Sequence, residues 1–249
     1  MKEFCTRRVP AAALSMMIAV LAVAVLLSQS ACFFLRKSKV ETTSVSSVRL
    51  VLLPFNVPAT DKDLRWAALA APILMAKAGE HVEGIELVPF WQSMPTALNL
   101  AGTSRTFTPE SAANIAAWLS AKWSVLGELT PEKNGVSMVV DFIPSRSALI
   151  PFRYSKTGRL DFVGAGFNDA YSQFLRYLTA KPLEPSRGKE ETMTSIKDLA
   201  EAFDREYGWF VEAQPGKAQE AIARLAGSDD TLARSLFSPA LYPSLAQKK

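Results

Sequence analysis

Cysteine and histidine are almost missing from this chain. Its 249 residues hold two cysteines, Cys5 and Cys32, and a single histidine, His81. Both cysteines fall in the opening segment, so the remainder has no disulfide framework and no thiolate for catalysis. The common zinc sites need two or more Cys or His ligands, and His81 with Glu80 and Glu83 does not supply them. His81 reads more simply as a loop histidine after a helix stop. A Ser-His-Asp triad would have to recruit that same His81, and no G-x-S-x-G turn exists to present a nucleophile. No metal, no cofactor and no catalytic residue is assigned, and the chain reads as a non-enzyme.

The remaining chemical signals have plainer readings. Lys156-Thr157-Gly158 matches the K-T-G triplet of penicillin-binding enzymes, which follows an S-x-x-K nucleophile motif. Here the S-x-x-K is Ser186-Arg187-Gly188-Lys189, which comes later and sits in a linker. The triplet therefore reads as a hairpin turn. Gly164-Ala165-Gly166 lacks the further glycines and the lysine of a phosphate loop, and fits a tight turn into a helix at Phe167. Asp61, Asp63, Asp141, Asp161 and Asp169 show no spacing that pairs two of them for catalysis. Asp229-Asp230 suits the start of a helix. Charge excludes little else. The net charge is +4, and Lys2, Arg7 and Arg8 minus Glu3 account for +2, leaving +2 for the rest. That balance gives no reason to expect nucleic-acid binding.

What the sequence does have is a leader. The basic residues Lys2, Arg7 and Arg8 precede an uncharged run from Ala11 to Leu27, followed by Ser28, Ser30, Ala31 and Cys32. Basic, then apolar, then small is the plan of a secretory signal. Ala31-Cys32 resembles the lipobox of bacterial lipoproteins, in which the cysteine carries the lipid, although Gln29 stands where leucine is usual. An uncleaved anchor is the competing reading, since 10–35 is long enough to cross about 30 Å of hydrocarbon. Arg36, Lys37 and Lys39 nearly balance the basic head, so the positive-inside comparison does not decide orientation. Lipid anchor at Cys32, transmembrane anchor and ordinary cleavage all put the remaining chain outside the cytoplasm, facing the periplasm or exterior.

Residues 36–47, rich in Ser and Thr, read as a tether. Leu50 to Leu53 is a continuous apolar run closed by Pro54, which suits a strand buried on both faces. Leu64, Ala68, Ala71 and Met75 then recur at helical spacing after Asp61, with Pro72 expected to kink or divide that helix before Gly79 ends it. A short strand is expected over 85–90, with Trp91 in the loop beyond it. Thr108-Pro109-Glu110 opens the next helix, striped by Ala112, Ile115, Ala116 and Leu119. Trp123, Val125 and Leu129 alternate with polar residues, as do Val136, Met138, Val140 and Phe142, predicting a hairpin about Pro131, Asn134 and Gly135. A further hairpin is expected over 149–154 and 160–163, then a helix from Phe167 to Leu178. Residues 181–193 read as a linker, and 194–249 as an appended helical segment with short helices near 195–206, 216–226 and 229–237. The order β-α-β-α-β-β-β-β-α predicts an α+β fold in which helices cover a small mixed sheet.

Several of these pieces resemble the amino-terminal domain of TolB and the FlgO-like envelope lipoproteins. Leu50-Val51-Leu52-Leu53-Pro54-Phe55 is similar to that family's opening strand. Ile85-Glu86-Leu87-Val88, Trp123 to Leu129 and Gly135 to Asp141 look like its later strands. The resemblance covers about residues 48–145 and carries no catalytic residues, because the family domain is a scaffold for protein contacts. It implies a membrane-tethered adaptor or assembly factor of the bacterial envelope, held by a lipid or transmembrane anchor and bound to other envelope proteins. Nothing in the chain could form the β-propeller that follows this domain in TolB. A periplasmic ligand or polysaccharide sensor is the alternative, and a hydrolase a more remote one. Of the aromatic cluster Phe90, Trp91, Trp118 and Trp123, Trp91 is kept as a candidate partner contact. Trp209 and Phe210, within Tyr207 to Val211, are either the dock of the last helices or a second contact surface.

Overall fold

The computed structural model describes residues 47–80, 82–103, 105–146, 148–179, 192–218, 220 and 236. The leader with Cys32, His81, the linker over 181–191 and most of the last two expected helices lie outside those residues. Among the described residues, no helix is long and apolar enough to cross a membrane.

Five strands form one mixed sheet in the order β2-β1-β3-β4-β5: β1 (Val48–Leu52), β2 (Ile85–Leu87), β3 (Trp123–Glu132), β4 (Gly135–Pro144) and β5 (Phe152–Gly158). β1 pairs in parallel with β2 and β3, while β3, β4 and β5 are antiparallel. The α+β expectation holds. Leu50, Val51, Leu52 and Leu53 are all buried, so both faces of β1 are covered as its continuous apolar run predicts. On one face of the sheet, Val125 and Phe142 are register partners, and Phe174 stacks on Phe142 at 4.1 Å and meets Trp123 edge-on at 5.1 Å. Leu126 and Ile143 point the other way and are buried too.

Among the described residues, helices pack around the sheet: α1 (Arg65–Gly79), α2 (Phe90–Ala101), α3 (Pro109–Trp118), α4 (Leu160–Val163), α5 (Phe167–Thr179) and α6 (Lys197–Tyr207). Pro72 does not divide α1. A proline at this position removes the hydrogen bond to the carbonyl four residues back, and the backbone N–H of Phe55 donates to that Ala68 carbonyl instead, at 2.8 Å. The helix-breaking residue thus ties α1 to the end of β1. Thr108 caps α3 as expected, accepting from the backbone N–H of Ser111. At the other end of α1, the hydroxyl of fully buried Tyr171 donates to the Met75 carbonyl. α6 packs against α1, and its Phe203 also meets Phe90 of α2 edge-on at 5.3 Å.

Two expectations are corrected. Trp91 is not in a loop but in the first turn of α2, half-buried. Phe90, Met94, Ala97 and Ala101 give α2 a buried face at helical spacing, a pattern partly hidden by Pro89 and Pro95. The second hairpin is absent: Lys156, Thr157 and Gly158 pair with Met138, Ser137 and Val136 as the end of β5. Residues 160–163 are helical, so the K-T-G triplet is strand rather than turn.

Candidate functional site

The chain leaves β1, runs out to β2 on one side, then returns to β3 on the other. Such a reversal opens a crevice beyond the carboxyl end of the central strand, where α/β sheets commonly bind ligands. Here that place is a groove of about 870 Å³ lined by Val57, Pro58 and Ala59 after β1, by the end of α2 and its loop, and by residues 207–213 after α6.

Three local devices build it. Asn56 continues alongside β3 and fixes the next loop through its side chain. Its Nδ2 donates to the Phe107 carbonyl and its Oδ1 accepts from the Phe107 N–H, both at 2.9 Å. Phe107 then stacks on Trp209 at 5.3 Å with 23° between the rings. Third, Gly208 ends α6 in the left-handed conformation, φ +66°, which turns the chain so that Trp209 faces inward. A side chain at Gly208 would also press on Ala213.

The loop after Gly208 is folded around the carboxylate of Asp204. The backbone N–H of Phe210 donates to its Oδ1 at 2.7 Å. Burial raises the Asp204 pKa from its ordinary value, outweighing the opposing pull of the Phe210, Val211 and Trp209 backbone and of the Arg65 charge. A raised carboxyl pKa means that the folded state holds the proton more tightly than the unfolded chain. Asp204 therefore favours folding most below its ordinary value of 3.8, and that contribution is lost as pH rises through the higher folded value. Asp204→Asn keeps an oxygen for Phe210 and removes the titration. Urea unfolding measured across this pH window should show a shallower fall in stability towards neutral pH for the variant. Parallel profiles would rule Asp204 out as the source.

Two arginines lie over the aromatic wall. The Arg105 guanidinium sits 5.3 Å from the Trp209 ring centre, and the Arg65 guanidinium 5.7 Å from that of Phe210. Arg105 itself has φ +52°, a conformation that costs a non-glycine residue about 1–2 kcal/mol. Its Nη1 and Nη2 reach the carbonyls of Leu98 and Gly208, each at 3.5 Å. The indole N–H of Trp209 is buried and has no acceptor among the described residues.

Trp209 and Phe210 thus belong to one site, with Trp209 only 2% exposed and forming its wall. Trp209 is the dock of its own loop and cannot present its ring as an outward anchor. Trp91 is not part of the groove lining. Sequence reasoning missed Arg105, which has no local pattern and is brought to Trp209 from about a hundred positions away. It also set aside Trp118, which is 78% exposed at the end of α3. Leu149, Ile150 and Tyr177 are exposed beside β5, where the Tyr177 hydroxyl donates to the Ile150 carbonyl. Among the described residues, no three His, Cys, Asp or Glu side chains gather in a metal-binding group. The raised tyrosines, Tyr154 at about 12 through burial and then Asp169, and Tyr171 and Tyr207 through burial, do not share a pocket.

No known protein family matches the chain, and no curated protein matches it. Several solved structures are similar to part of it. TolB from Acinetobacter baumannii is 8% identical with a TM-score of 0.37, covering 55% of this chain and 29% of TolB. The LpoB carboxy-terminal domain from Salmonella enterica is 12% identical with a TM-score of 0.31, covering 46% of this chain and 84% of that one. A lipoprotein from Neisseria meningitidis is 17% identical with a TM-score of 0.32, covering 53% and 99%. The chain therefore spans less than a third of the TolB chain it is compared with.

Proposed function

We propose that this protein is a non-catalytic adaptor of the bacterial cell envelope, anchored through Cys32 or the apolar run around it, and that its groove receives a segment of a partner protein. The observation that carries the reading is the groove itself, walled by Trp209 and Phe210 and lined by the guanidinium groups of Arg65 and Arg105. Aromatic and arginine side chains in a shaped depression are the commonest anchors of protein contacts. The leader supports export.

The test is affinity capture of the full-length, membrane-tethered chain from envelope extracts, run in parallel on three proteins. Val211, half-exposed at the groove, is changed to Asp in one, and Trp118 to Ala in another. The expected result is a partner protein recovered with the native chain and with Trp118→Ala, but reduced about tenfold or more with Val211→Asp. Retention of the partner by Val211→Asp, or recovery of a small molecule instead of a protein, overturns the reading.

A further inference from the structure

We propose that the groove is selective for an acidic segment, whose carboxylate is received by the free edge of the Arg105 guanidinium. This rests on the adaptor reading of the same groove and adds the chemistry of its occupant.

Arg105 carries most of the argument. A guanidinium offers five N–H donors, and two long bonds to the Leu98 and Gly208 carbonyls leave others unused. Those two carbonyls act as a brace. With its central carbon 5.3 Å from the Trp209 ring centre, the group has N–H donors left for a planar acceptor, and a carboxylate matches a guanidinium edge in a paired geometry that lysine cannot copy. Among the described residues, no ion pair involves Arg105. By contrast Arg65 lies in the field of Asp204, and Arg49, Arg153 and Arg205 are paired with Glu86, Asp141 and Glu201. The chain also holds Arg105 in a left-handed backbone conformation that asparagine or glycine would adopt more readily. Strain of this kind concentrates where a side chain has a task.

Trp209 holds that guanidinium in place: its side chain is buried in the wall, and its ring centre lies 5.3 Å from the Arg105 guanidinium. The charges of the lining agree in sign: Arg65 and Arg105 against the single carboxylate Glu212. A peptide fits better than a small anion. The volume lies near the top of the range for small-molecule sites, and Asn99 and Thr103 add polar side chains along the rim for main-chain groups.

The test is fluorescence anisotropy with the full chain in detergent micelles. The probe is a fluorescein-labelled heptapeptide alternating glutamate and phenylalanine, compared with the same peptide carrying glutamine for glutamate. The acidic peptide is expected to bind about tenfold more tightly. Arg105→Gly, which suits the left-handed backbone and so keeps the fold, should abolish that preference, and Arg105→Lys should restore part of it. Equal affinity for the two peptides, or a preference that survives Arg105→Gly, overturns acid selectivity. Those outcomes leave the adaptor reading standing if Val211→Asp still releases the captured partner. Loss of that capture result is what removes the adaptor itself.

Discussion

Replacing Trp209 with alanine is expected to lower folding stability by about 4 kcal/mol, within the 3–5 kcal/mol typical of truncating a buried large aromatic. The ring is 2% exposed, stacks on Phe107, meets Phe210 edge-on at 6.4 Å and lies beneath Arg105. Removing it takes away the surface on which three separate segments meet. Trp209→Phe tests a different quantity. It keeps an aromatic face for Phe107 and Arg105, leaves a smaller void, and deletes a buried donor that has no acceptor among the described residues. An unsatisfied buried donor costs about 1–3 kcal/mol, so its removal offsets the lost volume. Denaturant unfolding followed by circular dichroism should place Trp209→Phe within about 1 kcal/mol of the native protein. If phenylalanine proves as damaging as alanine, the indole N–H has an acceptor in solution and the account of its orphaned state is wrong.

Much of the fold was legible because the strongest patterns are local. The apolar run Leu50 to Leu53 fixed a strand covered on both faces, and Thr108-Pro109 fixed a helix start. Alternation in Trp123 to Leu129 and Val136 to Phe142 fixed the hairpin whose register the structure shows. The misses share a cause. Proline at positions 89 and 95 and glycine at 158 are read locally as breakers, yet tertiary pairing places helix around the first two and strand at the third. For Pro72 the freed Ala68 carbonyl found a partner in Phe55, a contact no window of sequence could reveal. The groove was half legible. Trp209 and Phe210 stood out within the aromatic segment Tyr207 to Val211, but Phe107 is brought to Trp209 by the Asn56 clamp, and Arg105 lies two residues before Phe107.

That clamp links groove geometry to the core, and Gly127→Ala is expected to expose the link. A methyl group at Gly127 would stand 2.2 Å from Cδ2 of Phe55 and 2.3 Å from its Cδ1 and Cε2. Contact with three atoms of one ring cannot be relieved by turning the ring in its own plane. Nor can Phe55 retreat freely: it is 1% exposed, meets Phe167 edge-on at 6.1 Å, and its N–H is bound to the Ala68 carbonyl. The strand must shift instead, at about 3 kcal/mol, the upper end of the usual range for overpacking. The disturbance has a defined route outward. Gly127 accepts from the Asn56 N–H at 2.7 Å, and the Asn56 carbonyl accepts from Leu129 at 2.9 Å. Moving that ladder moves the Asn56 side chain that holds Phe107 beneath Trp209. Gly127→Ala should therefore lower stability and weaken groove binding together, in a protein that still folds. Adding Phe55→Leu frees the space the methyl needs, so the double variant should be less destabilised than the sum of the two single changes. Additive costs would show that Phe55 does not lie over Gly127, and would break the proposed route from sheet to groove.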